Sequence, residues 1–539
     1  MGPGRQVKRR HFLAASALPL IGCARPDDIS GGFTGIHPER GHLLQAPQAW
    51  PTASVTLTTN VLILGGGVAG LAAARALRLK GQNDFALLEL EDAAGGNARG
   101  GVVNGIACPL GAHYLPVPSD SAPEVQDLLE ELGLRQRISG RWQYDERHLC
   151  HSPQELLFFN GAWQDGLLPV QGVGSETLRQ YQIFSALIEQ ERKASRWTIP
   201  TSKKALAPVQ QAWTAITFIA YLNQNGLTDP HLRWYLNYCC RDDFGAGIAT
   251  VSAWAGIHYF ASRHGFHAPG GAESAEREGV LTWPEGNAWL TQRLAAPLKE
   301  RLKTGRVVLR MTNLKHGVEV DAFNTATQTV ERWQAQRAIV ALPIFVAARV
   351  LQNPPDLLRQ AAARTVYAPW LVANLHLKTP LHDRPGPAPS WDNVLYGAPG
   401  LGYVDAMHQS LKPVPGATVL TYYRALGDVP GGPSAGRRLL QDQPWTAWRD
   451  EILAELALAH PDLAGKTSRI EITRYGHAMA VPVPRDLNQI SLQTPSSKRK
   501  QLLKTEHFLY RHERLTFAHS DWAGYSVFEE AFTLGHWAA

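Results

Sequence analysis

An unbroken apolar run, Val61-Leu62-Ile63-Leu64, predicts a strand buried on both faces, and it passes without a gap into Gly65-x-Gly67-x-x-Gly70. Leu71, Ala74 and Leu77 then share one face at helical spacing, so a helix follows the glycine turn. A second apolar run, Phe85 to Leu88, predicts the next strand and ends on an acid, Glu89. Further along, Val125, Leu128, Leu129 and Leu132 lie beneath acidic positions within 121–134, which predicts an amphipathic helix. Residues 146–280 are largely helical in pattern, interrupted at Trp197-Thr198-Ile199-Pro200 and from Gly265 to Gly271. The 380–435 stretch is rich in Pro and Gly, with extended segments such as Thr418 to Tyr423 between turns. Trp445, Trp448, Ile452, Leu456 and Ala459 mark one side of a packed helix over 445–459, and no internal repeat is present.

Strand, glycine turn, helix and acid-ended strand occur in the order that a dinucleotide cradle requires. Gly65 permits the tight turn, Gly67 lets a pyrophosphate approach the backbone, and Gly70 lets the helix pack close to the strand. The phosphates of such a ligand meet a helix N-terminus, where free N–H groups and the dipole favour negative charge. Glu89 follows Gly70 at about the twenty-residue spacing expected of an acid that holds a ribose diol.

The segment after Glu89 runs Leu90-Glu91-Asp92-Ala93-Ala94-Gly95-Gly96-Asn97-Ala98-Arg99, and with it the chain resembles the flavin-containing amine oxidase superfamily. That group includes amine and polyamine oxidases and related desaturases, and its members carry Gly-Gly-Arg against the FAD pyrophosphate. Asn97 stands where the arginine is usual, and Arg99 is the residue left to supply the charge. Pro109-Leu110-Gly111-Ala112-His113-Tyr114 is similar to the family segment that brings backbone to the isoalloxazine ring. Trp283 to Asn287 and Ile339 to Pro343 resemble further family segments, and Phe517 to Asp521 with Phe528 to Gly535 resembles the closing motif. The resemblance therefore implies FAD as cofactor, held by Gly65, Gly67, Gly70, Glu89, Gly95, Gly96, Asn97, Arg99, Gly111, Ala112, His113, Tyr114 and Asp521. It also implies a lysine on the strand Trp370 to Lys378, but the central positions there are Val372, Ala373 and Asn374.

At 539 residues the chain is too long for one core. The expected fold class is α/β: a Rossmann-like FAD-binding domain assembled from separated segments, with an α+β substrate domain, in the two-domain architecture of amine oxidases and glutathione reductase. Residues 55–145, 281–350 and 486–539 would form the first domain, and 146–280 and 351–485 the second. The net charge of +6 is small for this length, and its densest run, Lys498 to Lys504, reads as a solvated face. No stacking or groove-binding motif accompanies that run, so nucleic acid is not an expected partner. No His, Cys and carboxylate grouping has metal-ligand spacing.

Lys8-Arg9-Arg10-His11-Phe12-Leu13 matches the twin-arginine export pattern, and the apolar stretch Phe12 to Ile21 is too short to span a membrane. It ends in Leu20-Ile21-Gly22-Cys23, which resembles a bacterial lipobox with Cys23 as the lipidated residue. The expected partners are thus the twin-arginine machinery and a membrane reached through lipid on Cys23. The expected location is the periplasmic side of a bacterial envelope, lipid-anchored or soluble after cleavage, with 24–54 as a tether. The remaining Cys108, Cys150, Cys239 and Cys240 permit disulfides, and Cys108 lies close enough to the ring-facing segment to raise the question of a covalent flavin.

His113 and Tyr525 are the candidate catalytic residues, with Tyr525 and Trp522 as an aromatic wall. His477 is a weaker candidate, and Arg241 with Asp242 reads as a structural ion pair. The leading reading is an exported FAD-dependent oxidoreductase that oxidises an amine or polyamine by hydride transfer to flavin N5. A desaturase or isomerase of an apolar substrate, and a non-catalytic flavin-binding lipoprotein, remain as alternatives.

Overall fold

The computed structural model describes residues 28–45, 50–269, 279–382, 386–409, 414–485 and 509–539. The twin-arginine and lipobox segment and the basic run from Lys498 to Lys504 lie outside the described residues.

Val55–Leu64 is the central strand of an eight-stranded sheet. It pairs in parallel with Phe85–Leu88 on one side and with Thr329–Val340 on the other. Leu302–Lys303 extends the sheet beyond Phe85–Leu88, while Gly317–Asn324 and Arg306–Leu314 extend it antiparallel past Thr329–Val340. Thr329–Val340 changes partner along its length, because its upper end, Ala338 to Val340, pairs in parallel with Leu515–Phe517. The apolar run is buried on both faces, as its lack of alternation demands. Val61 and Ile63 face a core with Leu71, Leu77 and Phe532, and Leu62 and Leu64 face another with Val318, Val320 and Ile344. Burying four such side chains stabilises the sheet by at most ~1.5–3 kcal/mol each.

Helix Val68–Leu79 covers one face of this sheet, and the terminal helix Phe528–Ala538 packs across it. Their close approach depends on Gly535, where a Cβ would lie 2.0 Å from the Ala69 carbonyl oxygen.

The second eight-stranded sheet is centred on Val366–Leu377, which pairs antiparallel with Thr418–Ala425 and Thr467–Val481. Leu371, Ala373, Leu375 and Leu377 pack beneath Trp448, Ile452 and Leu456 of helix Trp445–Ala457. On the other face, Ala368, Trp370 and Val372 join the core formed by helices Ser175–Ala194, Pro230–Phe244 and Ala253–Ala261. This second unit is therefore mixed, because strands Glu155–Phe159 and Ala162–Asp165 from the stretch expected to be helical also join its sheet.

One expectation is corrected by the N-terminal region. Part of the segment expected to be a tether is folded: Ser30–Phe33 pairs in parallel with Arg469 to Ile472, and Pro38–His42 is a short helix. The edge strand is held by main-chain bonding, which needs no apolar side chains, and His37 and Arg40 bond Glu91 and the Leu90 carbonyl. Gly535→Ala is expected to lower stability by ~1–3 kcal/mol, through the overpacking of the two helices, and thermal unfolding measures it.

Candidate functional site

The carboxyl ends of the three parallel strands stop at one level, and the glycine turns meet there. Gly65 has φ +100°, and a Cβ on it would lie 2.5 Å from the Ala341 carbonyl oxygen. A Cβ on Gly70 would lie 1.9 Å from the oxygen of Gly65, so the helix sits against the turn only because that side chain is absent. The second glycine pair folds onto the first, with Gly95 N–H donating to the Gly66 carbonyl at 2.7 Å and Gly67 bridged to Gly95. Gly67 caps the helix with no side chain, which leaves the N–H groups of the first turn facing the cavity beyond.

Glu89 stands at the end of the neighbouring strand. Its carboxylate accepts from the Gly66 N–H at 2.7 Å and the Glu91 N–H at 2.8 Å, and burial still raises its pKa above the ordinary range. Asp521 lies across the cavity, accepting from the Ile344 N–H at 3.0 Å and the Tyr367 hydroxyl at 2.6 Å. Burial opposes its charge, yet His519, at 3.2 Å, and these donors hold its pKa below the usual carboxylate value. Its stabilising bonds are consequently present above the ordinary carboxylate range and weaken only as pH falls through the lower folded value.

A cavity of about 490 Å³ runs from these acids to a wall of aromatic side chains, within the usual range for small-molecule sites. Gly65, Gly67, Glu89, Gly95, Gly96, Asn97, Gly111, Ala112, His113, Tyr114 and Asp521 all line it. Gly111 lets the backbone fold back on Asn97, since a Cβ would lie 2.2 Å from the Asn97 oxygen. His113 stacks on Tyr423, with ring centroids 4.3 Å apart, and the Tyr423 hydroxyl donates to the Gly111 carbonyl at 3.1 Å. Burial lowers the pKa of His113 to about 3, so it is a neutral wall at ordinary pH and not a titrating base there. Trp370, Val372 and Tyr475 continue the wall, and His477 lines the cavity beside Phe345.

Another stretch of the lining is polar. Asp242, Asp243, Arg263 and Glu529 all line it, and Arg263 bonds Asp243 at 3.0 Å. Burial pushes Asp242 up to about 7, helped by the neighbouring Asp243, and burial does the same to Glu529.

Several expected residues lie elsewhere. Gly70 supports the turn from behind, outside the lining. Arg99 is also outside it, with Nε donating to the Gly96 carbonyl at 3.2 Å and a guanidinium nitrogen 3.6 Å from Glu91. Glu91 draws the guanidinium behind the turn, so backbone N–H groups face the cavity where the arginine was expected. Tyr525 is fully buried and donates to Glu530 at 3.0 Å, while Trp522 packs on Tyr510 and Phe517. Arg241 donates to the Pro399 carbonyl and does not bond Asp242. Among the described residues no lysine lines the cavity, and Asn374 is committed to the Pro109 carbonyl and Thr421. Cys108, Cys150, Cys239 and Cys240 are free thiols; Cys108 is buried away from the cavity, and burial raises its pKa to about 12.

Trp370, Tyr423, Glu529 and Tyr367 were not singled out from the sequence. Tyr423 lay within the predicted extended run Thr418 to Tyr423, and Glu529 within the closing motif, where an acid in the first helical turn was the available signal.

Residues 68–539 match the family described as flavin containing amine oxidoreductase. The chain belongs to that family. It is 26% identical over 166 residues to protoporphyrinogen oxidase 2 of Arabidopsis thaliana, covering 30% of each chain. It is 24% identical over 306 residues to flavin-containing amine oxidase B of Bos taurus, covering 55% of this chain and 52% of the relative. The alignments thus span about a third and about half of these relatives. A putrescine oxidase structure with putrescine bound superposes with a TM-score of 0.64 at 17% identity, covering 89% of this chain and 98% of that one.

The family is FAD-dependent, and the cavity fits that cofactor on its own geometry. Two glycine turns at a helix N-terminus suit the pyrophosphate, Glu89 suits a ribose diol, and Asp521 with the wall from Gly111 to Tyr114 lies along the rest of the length. Asp521→Asn is expected to weaken FAD retention by ~2 kcal/mol, roughly 30-fold in affinity, because a charge-assisted bond is lost. The flavin-to-protein absorbance ratio after dialysis reads this out.

Proposed function

We propose that this protein is an FAD-dependent oxidoreductase that oxidises an amine or polyamine. Bound FAD supplies the two-electron acceptor for a substrate hydride. The observation that carries the reading is the joining of the aromatic wall to an acid-rich end, where Asp242, Asp243 and Glu529 stand against the single guanidinium of Arg263. An alkylammonium ion is attracted to such an end, and the faces of Tyr423 and Trp370 favour a cation beside them. Val346, Val372 and Met479 line the same cavity and limit water around the reacting carbon. The imine product hydrolyses once it reaches solvent. An apolar alkene precursor would bring no positive charge to Asp242 and Glu529, which share the one guanidinium already bonded to Asp243, and this disfavours the desaturase reading. Relatives named for amine oxidation support the same class.

Anaerobic titration of the FAD-loaded protein with hexylamine and putrescine tests this directly. Most of the oxidised-flavin absorbance should disappear on addition of at least one amine; a spectrum unchanged by both would refute amine oxidation.

We also propose export of the folded protein by the twin-arginine route and lipid attachment at Cys23, supported by Arg9, Arg10 and the Leu20-Ile21-Gly22-Cys23 sequence. Among the described residues no helix is long and apolar enough to cross a membrane. In a bacterial host, replacing Arg9 and Arg10 by Lys should hold the precursor inside the cell. Cys23→Ser should move the protein from the membrane to the soluble fraction, and an unchanged distribution of both variants would rule the proposal out.

A further inference from the structure

We propose that Asp242 accepts the proton of the substrate ammonium group, freeing the nitrogen lone pair before the carbon–hydrogen bond is broken. This assignment rests on the amine reading above.

The chemistry requires such a group. An alkylamine is a cation at neutral pH, since ammonium groups titrate near ~10. Hydride departure leaves positive charge on the carbon, and a neighbouring ammonium nitrogen opposes that charge, whereas a neutral nitrogen shares its lone pair. The proton must therefore leave first, and among the described residues no lysine lines the cavity.

Apart from Glu529, the other lining carboxyls and imidazoles are committed or unsuited. Glu89 holds two backbone N–H groups at the glycine turns, and Asp521 holds Ile344 and Tyr367. Asp243 is paired with Arg263 at 3.0 Å. His519 is turned to Asp521. His113 and His477 are kept neutral by burial, which lowers them to about 3 and about 4. Glu529 sits in the first turn of the terminal helix, opposite Arg263 and Asp243.

Asp242 differs in its partner and its place. It projects from helix Pro230–Phe244 into the cavity and is bonded by the neutral hydroxyl of Tyr114. Tyr114 follows the ring-facing His113, and its carbonyl is fixed by the Asn287 side chain at 2.8 Å. The carboxyl is therefore carried at the edge of the aromatic wall.

The groups around it set its proton affinity. Asp243 lies on the same helix, Arg263 follows the next helix, and Glu155 and Asp392 stand directly opposite each other on paired parallel strands. Tyr238 and Cys239 on its own helix and Tyr423 on the sheet complete the surroundings. Burial and this concentration of carboxyls push Asp242 up to about 7, against the pull of Arg263 and Tyr114. A base of that affinity is ionised just above neutrality yet still binds a proton well.

The step balances. One N–H bond of the ammonium breaks and one O–H bond forms on Asp242, leaving a neutral amine and a carboxylic acid. The substrate C–H pair then leaves as hydride to the family's two-electron acceptor, and the nitrogen lone pair closes the C=N bond of an iminium product.

The test is the pH dependence of flavin reduction by whichever of hexylamine and putrescine proves reactive, measured on the FAD-loaded protein. The raised pKa places the carboxylate form above about 7, so wild-type kcat/KM should fall on acidification through that value. Asp242→Asn should abolish this acid limb, leaving a rate that climbs tenfold per pH unit toward the pKa of the amine, and should slow reduction by ~100-fold or more at pH ~7.5. Tyr114→Phe removes a bond to the ionised form and should shift the limb to higher pH.

A second reading is independent of turnover. tert-Butylamine has no α-hydrogen to lose, and its binding to the wild type at pH ~8 should release no proton to solvent, whereas binding to Asp242→Asn should release one per site. A plateau above about pH 7 with the same acid limb below it in Asp242→Asn, or a limb that stays in place in Tyr114→Phe, would overturn the assignment, as would its removal by Glu529→Gln in place of Asp242→Asn. If no amine reduces the flavin, both the assignment and the amine reading fall; if an amine does but the limb is unmoved, only the assignment falls.

Discussion

The molecule is organised by the parallel pairing of Val61 to Leu64 with Phe85 to Leu88 on one side and Arg337 to Val340 on the other. Parallel strands present their carboxyl ends on the same edge, so three chain turns are forced into one place: Gly65 to Gly70, Glu89 with its successors, and Ala341 to Pro343. Ala341 N–H donates to the Leu64 carbonyl at 2.8 Å, and Gly65 N–H to Leu88 at 2.9 Å, which leaves little slack between them. Everything that meets the cofactor is positioned from that edge, including the second glycine pair and the terminal helix.

Two stretches of the cavity lining handle charge by different means. At the glycine turns, negative charge meets backbone N–H groups and a helix terminus, and Glu89 and Asp521 are each satisfied by donors fixed in the fold. Elsewhere in the lining, Asp242 and Glu529 sit in a buried setting that resists their ionisation, with Arg263 largely engaged by Asp243. The first arrangement is held by donors fixed in the fold, and the second is undersupplied with positive charge. For the amine substrate proposed above, that imbalance would mark the preferred part of the cavity.

Much of the cofactor side was legible in the chain because its signals are local. A change from a continuous apolar run to helical spacing, with glycines at the junction and an acid at the next strand end, fixes strand, turn, helix and acid within about forty residues. The substrate side depends on contacts between distant segments. Trp370 and Tyr423 lie on strands buried on both faces, so no alternation marks which side chains face the cavity. Arg241 and Asp242 are neighbours in sequence, which made an ion pair plausible, but adjacent helical residues point about 100° apart and the two diverge. Tyr525 follows Asp521 closely, yet the turn ending at Gly524, with φ +87°, redirects the chain into the core. Ser30–Phe33 has two glycines and pairs through backbone alone, so neither propensity nor pattern announced it.

The partner exchange along Thr329–Val340 bears on how the molecule is made. Its upper end is completed by Leu515–Phe517, and Asp521 and the helix that packs on Val68–Leu79 come later still. Domains fold as the chain emerges from its N-terminus, but this one cannot close until Leu515–Phe517 and Phe528–Ala538 have been synthesised. The early glycine turns must wait, exposed, for partners encoded more than four hundred residues downstream. Flavin capture accordingly waits for Leu515–Phe517, Asp521 and Phe528–Ala538, and a truncation before Leu515 removes all three from the cofactor site.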